Sequence, residues 1–388
     1  MISFENTEIA FSGKSDKDLK RAYFLFKLVS RPWLVKLGKH LTVFSFKIHL
    51  PITGMVKRTI FRHFCGGENI QECFAKVEDL GKYGIGTILD YSAEGKNSEE
   101  DLDKTANEIT RTATVAKGNP NIPFCVFKTT GVARFGLLEK ISSGAELSDE
   151  EKQEYLRAVK RVDQICSEAY QSDTPVFIDA EETWIQDAID GLAEAMMAKY
   201  NKQKAIVYNT LQMYRHDRLD YFSKSLDRAR NGGYYVGMKI VRGAYMEKER
   251  ARAIEKNYAD PIQKDKNASD TDYNKALEFS IQHIDKVSIC AGTHNEKSSL
   301  FLTELLEKNN ISKSDKRIYF AQLLGMSDHI SYNLAKAGYN VVKYVPYGPV
   351  KEVLPYLIRR AEENTSVKGQ TGRELNLIIA ERKRRKSK

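Results

Sequence analysis

The chain has 388 residues, with 61 Lys and Arg against 52 Asp and Glu, for a formal charge of +9. That length suits either two domains of ~150 residues or one large α/β barrel of ~250 residues or more. A hydrophobic fraction of 41%, with 10% aromatics, supplies a core and excludes intrinsic disorder. Apolar stretches such as 24–29 and 41–46 fall far short of the ~20 residues needed to span a bilayer. The opening Met-Ile-Ser-Phe-Glu-Asn-Thr-Glu brings acids early and has no leading apolar core, so no signal peptide is expected. Cys65, Cys73, Cys125, Cys166 and Cys290 are scattered and form no CxxC pair. They argue against a disulfide framework and a thiolate zinc site, and a cytoplasmic location follows as the expectation. The positive charge by itself leaves nucleic acid, an anionic membrane, an acidic substrate or mere solubility open.

In chain order, residues 1–80 carry helical, basic, aromatic-rich patterns at 19–27 and 33–47 without strand rhythm, and predict a helical arm. From residue 84 a short β-branched run ending in polar residues alternates with a longer helical pattern. The runs are 84–90, 122–128, 174–179, 205–208, 235–241, 287–291, 318–322 and 340–344. Each is nearly continuously apolar, as strands buried on both faces are. Helical patterns such as 149–169 and 273–284 separate them. Eight β-then-α units predict an α/β, TIM-like (βα)8 barrel over 81–370. A doubly wound open sheet is the structural alternative, weakened by the missing GxGxxG turn after the first run. The tail, 371–388, ends in Glu-Arg-Lys-Arg-Arg-Lys-Ser-Lys and is expected to be solvated and mobile.

Chemistry in such a barrel collects where strands end. The runs end in Lys128, Asp179, Gln212, Lys239 with Arg242 and Tyr245, Thr293-His294-Asn295, Gln322-Leu323 and Tyr344. Together they outline a cup of cations, amides and tyrosines. Lys128 and Asp179 close adjacent runs. They suit either a structural ion pair or an anion-binding lysine held by its neighbour. Further on, Tyr356, Arg359, Arg360 and Glu363 stand i, i+3, i+4, i+7 and share one helix face. Twin guanidiniums there suit a planar carboxylate, and a solvated Arg–Glu face is the plainer reading. His294 has no His-x-His or Glu-x-x-His companion, so no metal is expected. No Gly-x-Ser-x-Gly elbow supports a hydrolase.

The Tyr-Leu-Ile-Arg-Arg-x-x-Glu-Asn stretch at 356–364 closely resembles the signature of the proline dehydrogenase family. So do Lys-Ile-Val-Arg-Gly-Ala-Tyr at 239–245, Ala-Gly-Thr-His-Asn at 291–295, Ile-Asp-Ala-Glu-Glu at 178–182 and Lys-Thr at 128–129. Phe-Cys-Gly-Gly-Glu at 64–68 and the segment 84–95 extend the resemblance, which runs in register from about 61 to 367. It implies a distorted (βα)8 barrel whose last helix lies over the barrel mouth. It also implies an FAD enzyme that oxidises L-proline to 1-pyrroline-5-carboxylate and passes electrons to a membrane quinone.

By the same resemblance Arg359, Arg360 and Lys128 bind the proline carboxylate, and Asp179 holds Lys128. Leu323, Tyr245, Tyr344 and Tyr356 wall the ring. Gln212, Lys239, Arg242, Thr293, His294, Asn295 and Glu363 serve the flavin. Lys239 stands where many bacterial members have Arg, a mitochondrial-type variant without a planar fork. Tyr344 implies weak activity on hydroxyproline. An amine must lose its proton before hydride leaves, so the rate is expected to rise with pH. The chain is too short to include a fused aldehyde dehydrogenase, so a separate pyrroline-carboxylate dehydrogenase is expected downstream. The segment 375–385, a short apolar cluster beside basic residues, suggests peripheral contact with anionic lipid on the inner face of the membrane. The rival readings are a flavin-free (βα)8 enzyme for another small anionic metabolite, and a nucleic-acid binder. No RNP, KH, zinc-finger or basic-zipper pattern supports the latter.

Overall fold

The computed structural model describes residues 2–31, 33–35, 37–38, 40, 52–92, 97–366 and 370–387, with the side chains of 362–371 outside the description. Part of the helical pattern expected at 33–47 falls outside it. Eight parallel strands close into a barrel in the order β1 to β8. They are β1 (Ile85–Tyr91), β2 (Phe124–Lys128), β3 (Val176–Asp179), β4 (Val207–Gln212), β5 (Val236–Val241), β6 (Val287–Gly292), β7 (Ile318–Leu323) and β8 (Val341–Tyr347). Every expected run overlaps one of them, the run 205–208 only at its last two residues, and the closed barrel excludes the open-sheet alternative.

β4 and β8 outlast their apolar runs. In β4 the amide of Asn209 donates to Asp190 at 2.9 Å, and Thr210 Oγ1 donates to the Ile178 carbonyl at 2.8 Å. Buried polar groups so partnered cost the strand little. In β8, Lys343 is wholly buried and donates to the Met326 carbonyl and to Asp328, each at 2.8 Å. A lysine and Pro346 break the sequence rhythm there while the strand continues.

By packing, the chain forms two compact units, Met1–Ser92 with Gln322–Lys388, and Ala93–Ala321. In the second, Phe124 stacks on Phe177 at 4.5 Å and meets the Tyr319 ring edge-on at 4.7 Å, filling the strand starts. Gly237 faces Tyr208 across the β4–β5 ladder, where a Cβ would come within 2.6 Å of the ring. The first unit holds the arm. Its helix Asp16–Val29 begins at a Ser15–Asp18 capping box and buries Leu19, Phe26 and Val29. These pack with Ala361, Leu377 and Ile378.

The C-terminal segment corrects the expectation of a solvated tail. Residues Gln370–Lys386 form a helix whose Leu377, Ile378 and Glu381 are buried. Positions 374, 377, 378, 381 and 385 recur at helical spacing, so the apolar cluster turns inward with two buried carboxylates, Glu374 and Glu381, beside it. Glu381 accepts from Arg384 and Arg385, each at 2.7 Å. These bonds hold its carboxyl down to about 2, although burial opposes them. Arg384 also pairs with Glu8 at 3.1 Å and Arg385 with Asp16 at 2.9 Å. Two of the tail's cations are thereby spent inside the fold.

Candidate active site

The second unit brings the ends of β2, β3 and β5 together through charge. Lys128 and Asp179 are register partners, with Nζ 3.7 Å from a carboxylate oxygen. Asp179 also accepts a hydrogen bond from Lys239, whose ammonium lies 5.6 Å over the Phe177 ring. The three side chains are only 14%, 13% and 6% exposed, in the order Lys128, Asp179, Lys239. Asp179 therefore bridges two lysines, and its closer partner is Lys239. The expected pairing with Lys128 alone is incomplete, because spacing reveals only neighbours in sequence order.

A second carboxylate, Glu181, lies in the 178–182 motif, and its sequence position alone assigns it no role. Its oxygens accept from the Thr130 N–H at 2.9 Å and the Thr130 hydroxyl at 2.5 Å. Its own N–H donates to Gln186 and its carbonyl accepts from Gln212 Nε2 at 2.7 Å. One residue thus ties the turn after Lys128 to the end of β4. Burial pushes its carboxyl up to about 7, against the pull of the Thr130 bonds. Its role was hidden because one acid in a pair reads like the other until both are placed. Glu249, wholly buried, likewise accepts from the Thr183 N–H at 2.7 Å.

Arg242 follows β5. Its guanidinium donates to Asp270 and Thr293 at 2.6 Å and to Ser298 at 2.8 Å, and it lies 4.2 Å over the Tyr273 ring. Asp270, Tyr273 and Ser298 are partners that sequence reasoning missed, since they sit on helices far along the chain. Gly243 has φ +134°, and a Cβ there would meet the Tyr214 ring at 2.5 Å. This explains the glycine inside the 239–245 motif, since side chains rarely adopt that backbone. The Tyr214 N–H in turn donates to the Arg242 carbonyl at 2.6 Å. Tyr245, half-buried, starts the next helix, Met246–Lys256. Thr293 Oγ1 also accepts from the Asn295 N–H at 3.0 Å, and Asn295 caps the helix Glu296–Lys308 by accepting from Ser298 N at 3.2 Å. His294 is half-buried between them.

The first unit carries the remaining expected residues. Tyr344 is a buried residue of β8, and its carbonyl accepts from the Leu324 N–H at 2.9 Å. Leu323 is half-buried and packs with Tyr356 in a cluster that includes Phe61, Phe64 and Met326. In the helix Val350–Ser366 the Arg360 guanidinium lies 5.1 Å over the Tyr356 ring, and both residues are buried. Arg359 is half-buried. The solvated-face reading of this stripe therefore fails for Tyr356 and Arg360. The Glu363 side chain lies outside the described residues.

The family model described as proline dehydrogenase matches residues 73–373 of this chain. The chain belongs to the proline dehydrogenase family. It is 32% identical over 427 residues to the Dictyostelium discoideum protein named proline dehydrogenase 1, mitochondrial, covering 98% of this chain and 74% of that one. It is 32% identical over 422 residues to the hydroxyproline dehydrogenase of Xenopus laevis, covering 99% and 90%. The fold is similar to that of proline utilization A from Bdellovibrio bacteriovorus, with TM-score 0.72 and 19% identity. That match covers 93% of this chain and 38% of the larger protein. As a proline dehydrogenase family member the chain is an oxidoreductase on a closed (βα)8 barrel. Among the described residues no helix is long and apolar enough to cross a membrane.

Proposed function

We propose that this chain oxidises L-proline to 1-pyrroline-5-carboxylate with bound FAD and a membrane quinone as final acceptor. The observation that carries the reading is the Lys128–Asp179–Lys239 cluster at strand ends inside the matched span 73–373. The donor set suits the cofactor. Arg242 uses three of a guanidinium's five N–H groups on protein partners, and Gln212 one of its two amide hydrogens, so both keep donors for a ligand. Gln212, Lys239, Arg242, Thr293, His294, Asn295 and Glu363 are the residues that would hold FAD. The flavin supplies a two-electron acceptor for hydride.

The chain's own part is binding and orientation. Lys128, Arg359 and Arg360 are cations for the substrate carboxylate, and Asp179 positions Lys128 and Lys239 together. Tyr245, Leu323, Tyr344 and Tyr356 offer an apolar, aromatic wall for a saturated ring. Hydride leaves the unsubstituted ring carbon bonded to nitrogen, the N–H proton is lost, and a C=N bond forms. Only an amine already free of its extra proton can push that hydride out, so the rate rises with pH. Tyr344 crowds a ring hydroxyl, which favours proline over hydroxyproline. The hydroxyproline dehydrogenase relative makes that preference the sharpest question of specificity. The pyrroline product passes to a separate dehydrogenase.

The test is a purified full-length protein. It should show the visible absorbance of bound flavin and reduce a dye when proline is added. Arg359→Ala and Arg360→Ala should each raise the KM for proline by roughly 10- to 150-fold, the loss of a charge-assisted hydrogen bond. A colourless protein, or dye reduction that ignores proline, would sink the reading in favour of a flavin-free enzyme for another small anion.

A further inference from the structure

We infer that a cavity inside the first unit is a binding site for a phosphorylated small molecule. A space of about 570 Å³ is lined by the helix Asp16–Val29, the helical stretch 53–64, the helix Ile70–Gly81 and the turn 324–328. That volume suits a ligand of metabolite size. No residue of the proposed proline and flavin pocket lines it. The stretch 53–64 is π-helical over Lys57–Phe61, a rare geometry that recurs at functional sites. Gly325 has φ +77°, and a Cβ there would meet the His63 carbonyl at 2.5 Å. Glycine thus lets His63 Nε2 close on the Gly325 carbonyl at 3.0 Å, which fixes that part of the wall.

Charge selects the ligand. Six cations and five acids line the space, but the acids are already answered. Asp18 pairs with Arg21 at 2.7 Å and Glu72 with Lys57 at 3.5 Å. Asp79 and Asp328 take Lys82 at 3.1 Å and Lys343 at 2.8 Å, both from outside the lining. Glu374 accepts from the Ser327 N–H, and burial pushes its carboxyl up, toward the neutral form. Arg58, Arg62 and Lys76, by contrast, make no hydrogen bond or ion pair among the described residues. Lys76 is half-buried, and burial holds its ammonium below the usual lysine range. Arg21 Nε is buried and has no hydrogen-bond partner among the described residues. Buried donors are rarely left so unless something outside the chain completes them. These four residues come from three walls of the cavity. A carboxylate has two oxygens in one plane and answers one guanidinium fork. A phosphoryl group spreads three oxygens about phosphorus and accepts from several walls at once. Phe11, Leu19 and Phe26 line the remainder, a surface for the organic part of the molecule. The proposal concerns binding alone, so its failure is separate from failure of the proline reading.

The experiment is isothermal titration calorimetry of the full-length protein, with any bound cofactor retained, against pyrophosphate and against citrate. Pyrophosphate stands in for the phosphorylated ligand, and citrate is a carboxylate of similar charge. At about 0.15 M salt, pyrophosphate should bind with a Kd below about 1 mM, and citrate at least ~10-fold more weakly. A ~100-fold excess over Kd should raise the melting temperature by about 3 °C. The Arg58→Gln, Arg62→Gln double variant should weaken pyrophosphate binding on the order of 100-fold, the loss of two charge-assisted hydrogen bonds. Lys76→Gln should abolish the thermal shift. Its unligated melting temperature should stay at or above that of the wild type, because a half-buried charge without a partner is gone. Circular dichroism of both variants separates lost binding from lost folding. No heat with pyrophosphate, citrate bound as tightly, or variants that bind like the wild type would each overturn the proposal.

Discussion

Replacing Asp179 by Asn keeps the shape of the side chain and removes the charge that two nearly buried lysines share. At 3.7 Å and an effective dielectric of ~20, the Lys128–Asp179 attraction alone is about 4 kcal/mol. The Lys239 contact is shorter, but relief of the carboxylate's own desolvation offsets part of the sum. An amide oxygen still accepts from Lys239, so the expected loss sits near the lower end of the range for breaking a buried pair, about 2–4 kcal/mol. Urea unfolding of wild type, Asp179→Asn, Lys239→Met and the double variant measures it. The double-mutant cycle should return a coupling of at least ~1.5 kcal/mol, because the second substitution removes a charge already stranded by the first. Under the proposed function the Asp179→Asn enzyme also raises the KM for proline more than it lowers kcat. A loss under ~1 kcal/mol together with no coupling would refute the idea that Asp179 is the shared counter-charge.

Other outcomes follow from single contacts. The Glu181 carboxyl, pushed up to about 7 from 4.5 by burial, binds more protons in the folded state across that window. Stability should therefore fall as pH rises from 4.5 to 7, by at most about 3 kcal/mol relative to Glu181→Gln, and level off above. Parallel urea midpoints for the two proteins across that range would contradict it. His63 runs the other way. Burial holds it down to about 4, so stability is lost as pH falls from 6.5 to 4, and His63→Gln should flatten that limb of the pH–stability curve. Gly243→Ala must strain a φ of +134° or push Tyr214 aside, costing about 2–4 kcal/mol and loosening the Arg242 carbonyl. A melting temperature unchanged by that substitution would show that the loop adapts. Ile378→Ala should cost ~2–4 kcal/mol in thermal unfolding, whereas a solvated tail would yield almost nothing.

The strand rhythm was legible because strands buried on both faces admit few polar residues, so eight apolar runs stand out from amphipathic helices. The same rule hid the ends of β4 and β8, where Asn209, Thr210 and Lys343 find partners from elsewhere in the chain. Lys128, Asp179 and the twin arginines could be named from strand-end position and helical spacing, since those are local properties. Which partner each charge takes is not local. Asp179 prefers Lys239 across the strand ends, Glu181 clamps Thr130, and Arg242 collects Asp270 and Ser298 from two later helices and Thr293 from the turn after β6. Nor could a basic run announce whether it meets solvent or a buried Glu381. The sequence by itself determined the barrel, the family and the residue types at the strand ends, because period and motif are written along the chain. Only the tertiary structure decided which cations are neutralised within the fold and which, on the arm, still face outward. That choice depends on contacts between segments hundreds of residues apart.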